Sequence, residues 1–315
     1  MKALVTGGAG FIGSNLVALL LNEGHEVVVL DDLSSGYSEN LEPGVEFVRC
    51  DVADCESVRA AAVGVDIVFH LAASVGNARA IEHPLRDSEV NVLGTLSVLE
   101  AARSEGIQRV VLSSSAGIFG ELKTLPIAED HPQDPDSPYG VSKLAAEKMC
   151  LVYNKLHGMD NVCLRYFNVY GRNQRFDAYG NVIPIFAERM LRGQEVVVFG
   201  DGLQTRDFVN VRDVVRANYL AGTSDAARGA FNLGSATRVT INDLASMMGE
   251  LAGVEPVFRH TAPRSGDVRD SLAAIGAATE AFGFVPSVPL EHGLREYMSW
   301  LREDEVTLAR WRDAE

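Results

Sequence analysis

Tyr139 and Lys143 stand four residues apart in Tyr139-Gly140-Val141-Ser142-Lys143, just after the helix-opening pair Ser137-Pro138. On a helix that spacing puts both side chains on one face. An ammonium beside a phenol favours the phenolate and draws tyrosine below its ordinary value of about 10. Tyr139 then becomes a general base near neutral pH. Ser113-Ser114-Ser115 closes an apolar run and ends 24 residues before Tyr139. A hydroxyl there, Ser115 above all, can bond the same substrate oxygen. The chemistry these residues suit is removal of a proton from a substrate hydroxyl.

A second constellation supplies what such a proton transfer accompanies. Thr6-Gly7-Gly8-Ala9-Gly10-Phe11-Ile12-Gly13 follows a strand and opens a helix. Gly7 allows the tight turn, Gly10 lets backbone approach a pyrophosphate, and Gly13 lets the helix pack on the strand. The helix start, with Phe11 and Ile12, offers free N–H groups and positive dipole to phosphates. Asp31, at the end of the second strand and followed by Asp32, is placed for the adenosine ribose hydroxyls. No Arg or Lys follows closely, so a 2′-phosphate would meet only negative charge, and NAD is favoured over NADP. Cys50-Asp51-Val52 ends the third strand, where Asp51 either bonds the adenine amino group or caps the next helix. His70-Leu71-Ala72-Ala73 ends the fourth, and small Ala72 and Ala73 let backbone lie along the cofactor. His70 itself reads as a packing histidine. A cationic nicotinamide ring nearby would push Tyr139 in the same direction as Lys143.

The elements that position these groups alternate. Strands are expected at 3–6, 26–30, 45–50, 67–71, 109–113 and 162–166, and helices at about 11–23, 56–62, 84–104 and 138–156. The strands are continuous apolar runs, as buried parallel strands require. The expectation is an α/β fold, a doubly wound parallel sheet of Rossmann type, with a smaller mixed α/β substrate-binding cap. The NAD-binding domain is placed at 1–166, rejoined by part of about 205–230. The cap is placed at 167–204 and about 231–315, where Gly, Pro, Asn and Asp become frequent.

Composition agrees. Of 315 residues, 28 are Lys or Arg and 43 Asp or Glu, a formal charge of −15. That balance argues against nucleic acid or an anionic membrane as partner. No apolar run has membrane-spanning length. Cys50, Cys55, Cys150 and Cys163 have no metal-ligand spacing and read as reduced, so no metal is expected. The N-terminus runs straight into a strand, unlike a signal peptide, and the expected location is the cytoplasm.

These residues resemble the extended short-chain dehydrogenase/reductase superfamily over nearly the whole chain. More narrowly, 6–13, Ser113–Gly120, Ser137–Lys143, Arg165–Gly171, Gly200-Asp201-Gly202 with Arg206-Asp207-Phe208, and Pro263-Arg264-Ser265-Gly266-Asp267 are similar to the UDP-glucose 4-epimerase family. The resemblance implies a UDP-sugar substrate and an NAD that stays bound. It implies that Tyr139 takes the proton of the sugar 4-hydroxyl, Ser115 assists at that oxygen, and Lys143 bonds the nicotinamide ribose. It places Val52, Leu71, Asn91, Ser113 and Tyr166 beside the cofactor. It places Asn168 on the sugar nucleotide, Val182 and Phe199 around the uracil, Arg206 and Arg264 on the diphosphate, and Asp267 on the uridine ribose. It also implies a homodimer through the helices at about 85–104 and 138–156, where Val90, Leu93, Leu96, Val98 and Leu99 supply apolar surface. For each Arg a salt bridge with neighbouring Asp207 or Asp267 stays open.

Three departures shape the reading. Phe119 stands where the family usually has Tyr. Gly117 stands where related 4,6-dehydratases and UDP-glucuronate decarboxylases carry acids, which takes weight from both alternatives; a ketoreductase and a non-enzymatic NAD sensor also remain open. Ser271 matches a gate beside the sugar's 2-substituent, and its small size leans toward UDP-GlcNAc and UDP-GalNAc as well as UDP-glucose and UDP-galactose.

Overall fold

The structure is a computed structural model and describes residues 1–177, 180–263 and 268–313. The first half builds β1 (Lys2–Thr6), α1 (Phe11–Asn22), β2 (Glu26–Asp31), β3 (Glu46–Arg49), α2 (Cys55–Ala61) and β4 (Ile67–His70). Then come α3 (Asn77–Glu82), α4 (Pro84–Ser88), α5 (Gly94–Ser104), β5 (Val110–Ser115), α6 (Pro138–His157) and β6 (Val162–Tyr166). The single helix expected over 84–104 is interrupted at Glu89–Leu93 by a π-turn between α4 and α5. Such turns recur at functional sites, and this one carries Asn91. α6 begins as its sequence foretells, with Ser137 Oγ accepting from Gly140 N at 3.1 Å and Pro138 in the first turn.

The second half builds β7 (Asn168–Tyr170), α7 (Val182–Leu191), β8 (Val196–Phe199), β9 (Thr205–Arg206), β10 (Phe208–Asn210) and α8 (Val211–Thr223). It continues with β11 (Gly229–Leu233), β12 (Val239–Thr240), α9 (Ile241–Ala252), β13 (Phe258–Thr261), α10 (Gly276–Phe282), α11 (Leu290–Glu303) and α12 (Glu305–Asp313).

Seven strands form one parallel sheet in the order β11-β6-β5-β4-β1-β2-β3. The order reverses between β1 and β4, and a doubly wound sheet opens its ligand crevice there, at the strands' carboxyl ends. Both faces are covered over the central strands, whose runs Ala3–Val5, Val27–Leu30, Ile67–Phe69 and Val110–Leu112 are apolar and buried, whereas the edge strand β3 is mostly exposed. α1 and α8 pack on one face through Leu16, Leu20, Val214 and Ala217. α2, α5 and α6 pack on the other through Val58, Val98, Leu99 and Ala146.

The sheet reaches further along the chain than the sequence suggests. β11 runs to Leu233 and α10 packs against it, with Phe231, Ala278 and Phe282 in the α1-side core. Residues 231–233 and 276–284 therefore lie in the sheet layer, although the sequence reading put them in the cap. The remaining C-terminal elements share another core, in which α7, α9 and α11 bury Phe186, Met190, Leu244, Met248, Tyr297 and Met298.

Candidate active site

The glycine turn joins β1 to α1 at the switch point. Gly7 has φ of 69°, and a Cβ on Gly13 would stand 2.1 Å from Gly7 O. Only glycine permits this path, so the helix N-terminus is held open for a diphosphate. The neighbouring walls are Leu71-Ala72-Ala73 after β4; a Cβ on Gly7 would meet Ala72 N at 2.5 Å. This cradle fits a dinucleotide. Gly10 stands at the helix start, bonding Gly7 O at 3.1 Å, and Phe11 and Ile12 form the first turn.

Asp31 ends β2 beside the cradle. Its carboxylate accepts from Ala9 N at 3.0 Å and Leu33 N at 2.8 Å, and burial pushes its pKa up. It braces the turn through these two bonds. Asp32 accepts from Ser34 N. Asp51 does not cap α2: that role falls to Asp54, which accepts from Glu56 N and Ser57 N. Asp51 instead pairs with Arg86 of α4 at 2.8 Å. Arg86 also reaches Glu89 at 2.9 Å and Asp32 at 3.5 Å. The neighbourhood of Asp32 and Asp51 thus does contain a cation, brought from 54 residues beyond Asp32 and already held by carboxylates. Val52 is buried against Gly94, and a Cβ there would meet it at 2.5 Å.

His70 is the packing histidine its context suggests. It bridges Thr6 Oγ1 at 2.7 Å and Thr95 Oγ1 at 3.0 Å, and burial takes its pKa down to about 3.

β5 delivers Ser113 and Ser115 to the same edge, and the first turn of α6 delivers Tyr139 and Lys143. Ser115 hydrogen-bonds the Tyr139 phenol and accepts from Gly117 N at 3.0 Å. A Cβ built on Gly117 would lie 3.3 Å from Ser115 Oγ and 3.6 Å from Tyr139 Cε1. Position 117 therefore faces Ser115 and Tyr139. The electrostatics differ from expectation. Burial pushes the Tyr139 phenol up, the Ser115 bond opposes it, and Asp87 adds to it. Lys143 is not among the groups that act on the phenol in the chain alone. Burial also draws Lys143 down to about 8, against Asp87, Cys163 and Glu147.

Two expected cofactor contacts are engaged elsewhere through their side chains. Asn91 Oδ1 accepts from Ser74 N at 2.9 Å, and its Nδ2 donates to Ser74 O, Asp87 and Ser142. Tyr166 is buried, its hydroxyl donating to Asn218 Oδ1 at 2.9 Å.

On the cap side a buried Asp207 gathers the substrate candidates. Asn168 donates to Asp207 O through both N and Nδ2, each at 3.1 Å. The Asp207 carboxylate accepts from Ser235 N and Oγ and from Ala273 N. Asp207 lies between β9 and β10 and is fully buried. Among the described residues Arg206 and Asp207 form no salt bridge with each other, the alternative left open above. Arg206 is half-buried and donates to Thr205 O at 2.8 Å. Thr205 N donates to Arg269 O, which brings the segment bearing buried Ser271 beside it. Phe199 O accepts from Gln204 Nε2 at 2.9 Å, and Val182 opens α7. Arg264 and Asp267 lie outside the described residues. Phe119 is fully buried, edge-on to His131 at 5.5 Å.

Sequence reasoning missed two buried acids. Glu147 pairs with Arg165 at 2.7 Å and accepts from Ser114, tying α6 to β5 and β6. An Arg inside an apolar strand was the signal that such a partner exists. Asp87 left no comparable mark in the sequence.

Fold and site together define a short-chain dehydrogenase/reductase. The family model described as NAD dependent epimerase/dehydratase matches residues 3–234, and the chain belongs to that family. A UDP-glucose 4-epimerase from Mycolicibacterium smegmatis is 39% identical over 311 residues, covering 96% of this chain and 99% of the relative. The structure of a UDP-glucose 4-epimerase from Thermotoga maritima with UDP-glucose aligns with TM-score 0.91 at 40% identity, covering 96% of this chain and 99% of that one. One from Thermus thermophilus in complex with NAD aligns with TM-score 0.89 at 39% identity, covering 96% of this chain and all of that one. The chain is thus a nucleotide-sugar enzyme like the UDP-glucose 4-epimerases. Among the described residues no helix is long and apolar enough to cross a membrane, and no group of His, Cys, Asp and Glu could hold a metal.

Proposed function

We propose that the chain is an NAD-dependent 4-epimerase interconverting UDP-glucose with UDP-galactose, and UDP-GlcNAc with UDP-GalNAc, through a transient 4-keto sugar. The observation that carries this reading is Gly117. It stands against Ser115 and Tyr139, where an acid would be needed for elimination or decarboxylation, and it brings no side chain. With no such group at that place, proton exchange at the 4-oxygen is the chemistry the set supports.

The Gly7–Gly13 turn, Asp31, Asp51, Leu71–Ala73 and Lys143 would hold NAD. When bound it supplies the acceptor and later the donor of hydride at the sugar's C4. Tyr139 takes the 4-hydroxyl proton and gives it back, and Ser115 steadies that oxygen. Arg206 and Arg264 would clamp the diphosphate with fork geometry. Asn168, Val182, Phe199 and Asp267 would hold the nucleotide, and Ser271 would leave room for an N-acetyl group.

Two further properties belong to the proposal. Leu85, Leu93, Val141, Val152 and Leu156 are exposed on α4, the π-turn and α6, and we assign this apolar face to a homodimer. Val98 and Leu99 do not contribute, being buried against the sheet. The four cysteines are all free, which suits the cytoplasm.

UDP-glucose carrying deuterium at C4 tests the reaction. The proposal expects UDP-galactose with the deuterium still at C4. Transfer of the label to C6, its loss to NADH in solution, or release of carbon dioxide from a UDP-uronate would contradict it.

A further inference from the structure

We propose that Asp87 is a positioning residue for the Tyr139/Lys143 pair: its buried carboxylate anchors the helix turn that carries both and is the negative charge that both face. The proposal rests on the reading of Tyr139 as the base.

Asp87 sits in α4 with 1% of its surface exposed. Its Oδ2 accepts from Ser142 Oγ at 2.5 Å, and its Oδ1 accepts from Asn91 Nδ2 at 3.1 Å. Asn91 Nδ2 also donates to Ser142 Oγ at 3.0 Å, closing a triangle between α4, the π-turn and α6. Ser142 lies between Tyr139 and Lys143 in sequence, and its Oγ stands 3.0 Å from Tyr139 O. A hydroxyl has one hydrogen, and the shorter contact to the carboxylate takes it. The first turn of α6 is therefore held by Asp87 at the residue adjoining Lys143. Through Asn91 the same triangle grips the Ser74 backbone beyond β4.

The charge argument is separate. Lys143 is faced by Asp87 from α4, Glu147 from its own helix, Cys163 from β6 and His70 from β4. Tyr139 is faced by Asp87 and Ser115. Of the two carboxylates, Glu147 is matched by Arg165 through two bonds of 3.0 and 2.7 Å. Asp87 forms no ion pair within 4.0 Å among the described residues, and its bonds come from a hydroxyl and an amide. Its charge is thus left to act on its neighbours. It supports the Lys143 ammonium against burial and opposes a phenolate at Tyr139.

Asp87→Asn keeps the shape and removes the charge. Two readouts follow. The first is the titration of the Tyr139 phenol in the protein without sugar, followed by NMR of ring-labelled tyrosine and assigned by its loss in Tyr139→Phe. It should move to lower pH by about one unit. The second is the pH profile of single-turnover conversion. Its two limbs report the ionisations of Tyr139 and Lys143, and without the Asp87 charge both should move to lower pH. Asp87→Glu should return both limbs, and Ser142→Ala should lower the plateau with the limbs in place. Limbs and phenol titration that stay put in Asp87→Asn overturn the proposal, whatever happens to the plateau. Should Asp87→Asn not fold, an unchanged plateau in Ser142→Ala overturns it instead. Tyr139→Phe separates the two readings: if it retains conversion the base assignment fails, and if it loses conversion while Asp87→Asn shifts nothing, only the Asp87 inference fails.

Discussion

Gly117 and Tyr139 are neighbours across the reaction site: a Cβ on the glycine would lie 3.6 Å from Tyr139 Cε1. Any side chain at 117 would therefore share space with the phenol and with Ser115. In the proposed reading, the residue's lack of functional groups is what favours epimerisation.

Gly117→Glu tests that relationship. A carboxylate beside Tyr139 would raise its pKa further and crowd the 4-oxygen. We expect 4-epimerisation to fall by about 100-fold, a loss of the size that general acid–base catalysis supplies. Circular dichroism should show the fold retained. A variant with an undiminished steady-state rate would remove Gly117 from the site.

Gly13→Ala tests the cradle. The new Cβ would meet Gly7 O at 2.1 Å, so α1 must move off β1. Purified variant protein should carry much less NAD than the unaltered chain when nucleotide is released by denaturation and measured. Equal nucleotide content would mean that the turn does not hold the cofactor.

His70 sets a pH dependence of stability. Its pKa is about 3 in the fold against an ordinary 6.5. The unfolded chain therefore binds one more proton in that window, and stability present above about pH 6.5 is lost as pH falls toward 3. The slope from this residue approaches about 1.4 kcal/mol per pH unit. Urea unfolding between pH 7 and pH 4 should show a shallower loss in His70→Asn, even though that variant is weaker at neutral pH. Parallel curves would contradict the assignment.

Ser271→Tyr tests the gate. Ser271 is buried beside the Thr205–Arg206 strand, and a phenol ring there would fill the space of an N-acetyl group. Turnover of UDP-GlcNAc should drop at least about tenfold while UDP-glucose is still converted. An intact UDP-GlcNAc rate would show that selectivity lies elsewhere.

The residues legible in the sequence are those whose chemistry needs a fixed local spacing. The Gly7–Gly13 turn and the Tyr139/Lys143 pair are each set by a few consecutive residues. The apolar runs from Ala3 to Tyr166 announced a buried parallel sheet in the same way. What escaped depends on contacts between distant segments. Arg86 reaches Asp51 from another helix, and Asp87 meets Ser142 across 55 residues. β11 was hidden for a different reason: Gly229-Ala230-Phe231-Asn232-Leu233 carries an Asn, whose Nδ2 donates to Ile127 O and which reads from sequence as a loop residue. Spacing shows an ammonium four residues from Tyr139 but not the burial that pushes the phenol up in the chain alone.

The central claim is 4-epimerisation by a protein that keeps its own NAD. Purified protein, with no nucleotide added, should be incubated separately with UDP-glucose and with UDP-GlcNAc while the anomeric protons are followed by NMR. The account predicts the galacto epimer from each sugar. No conversion of either, even after NAD is supplied, or a 4-keto-6-deoxy product, would contradict it.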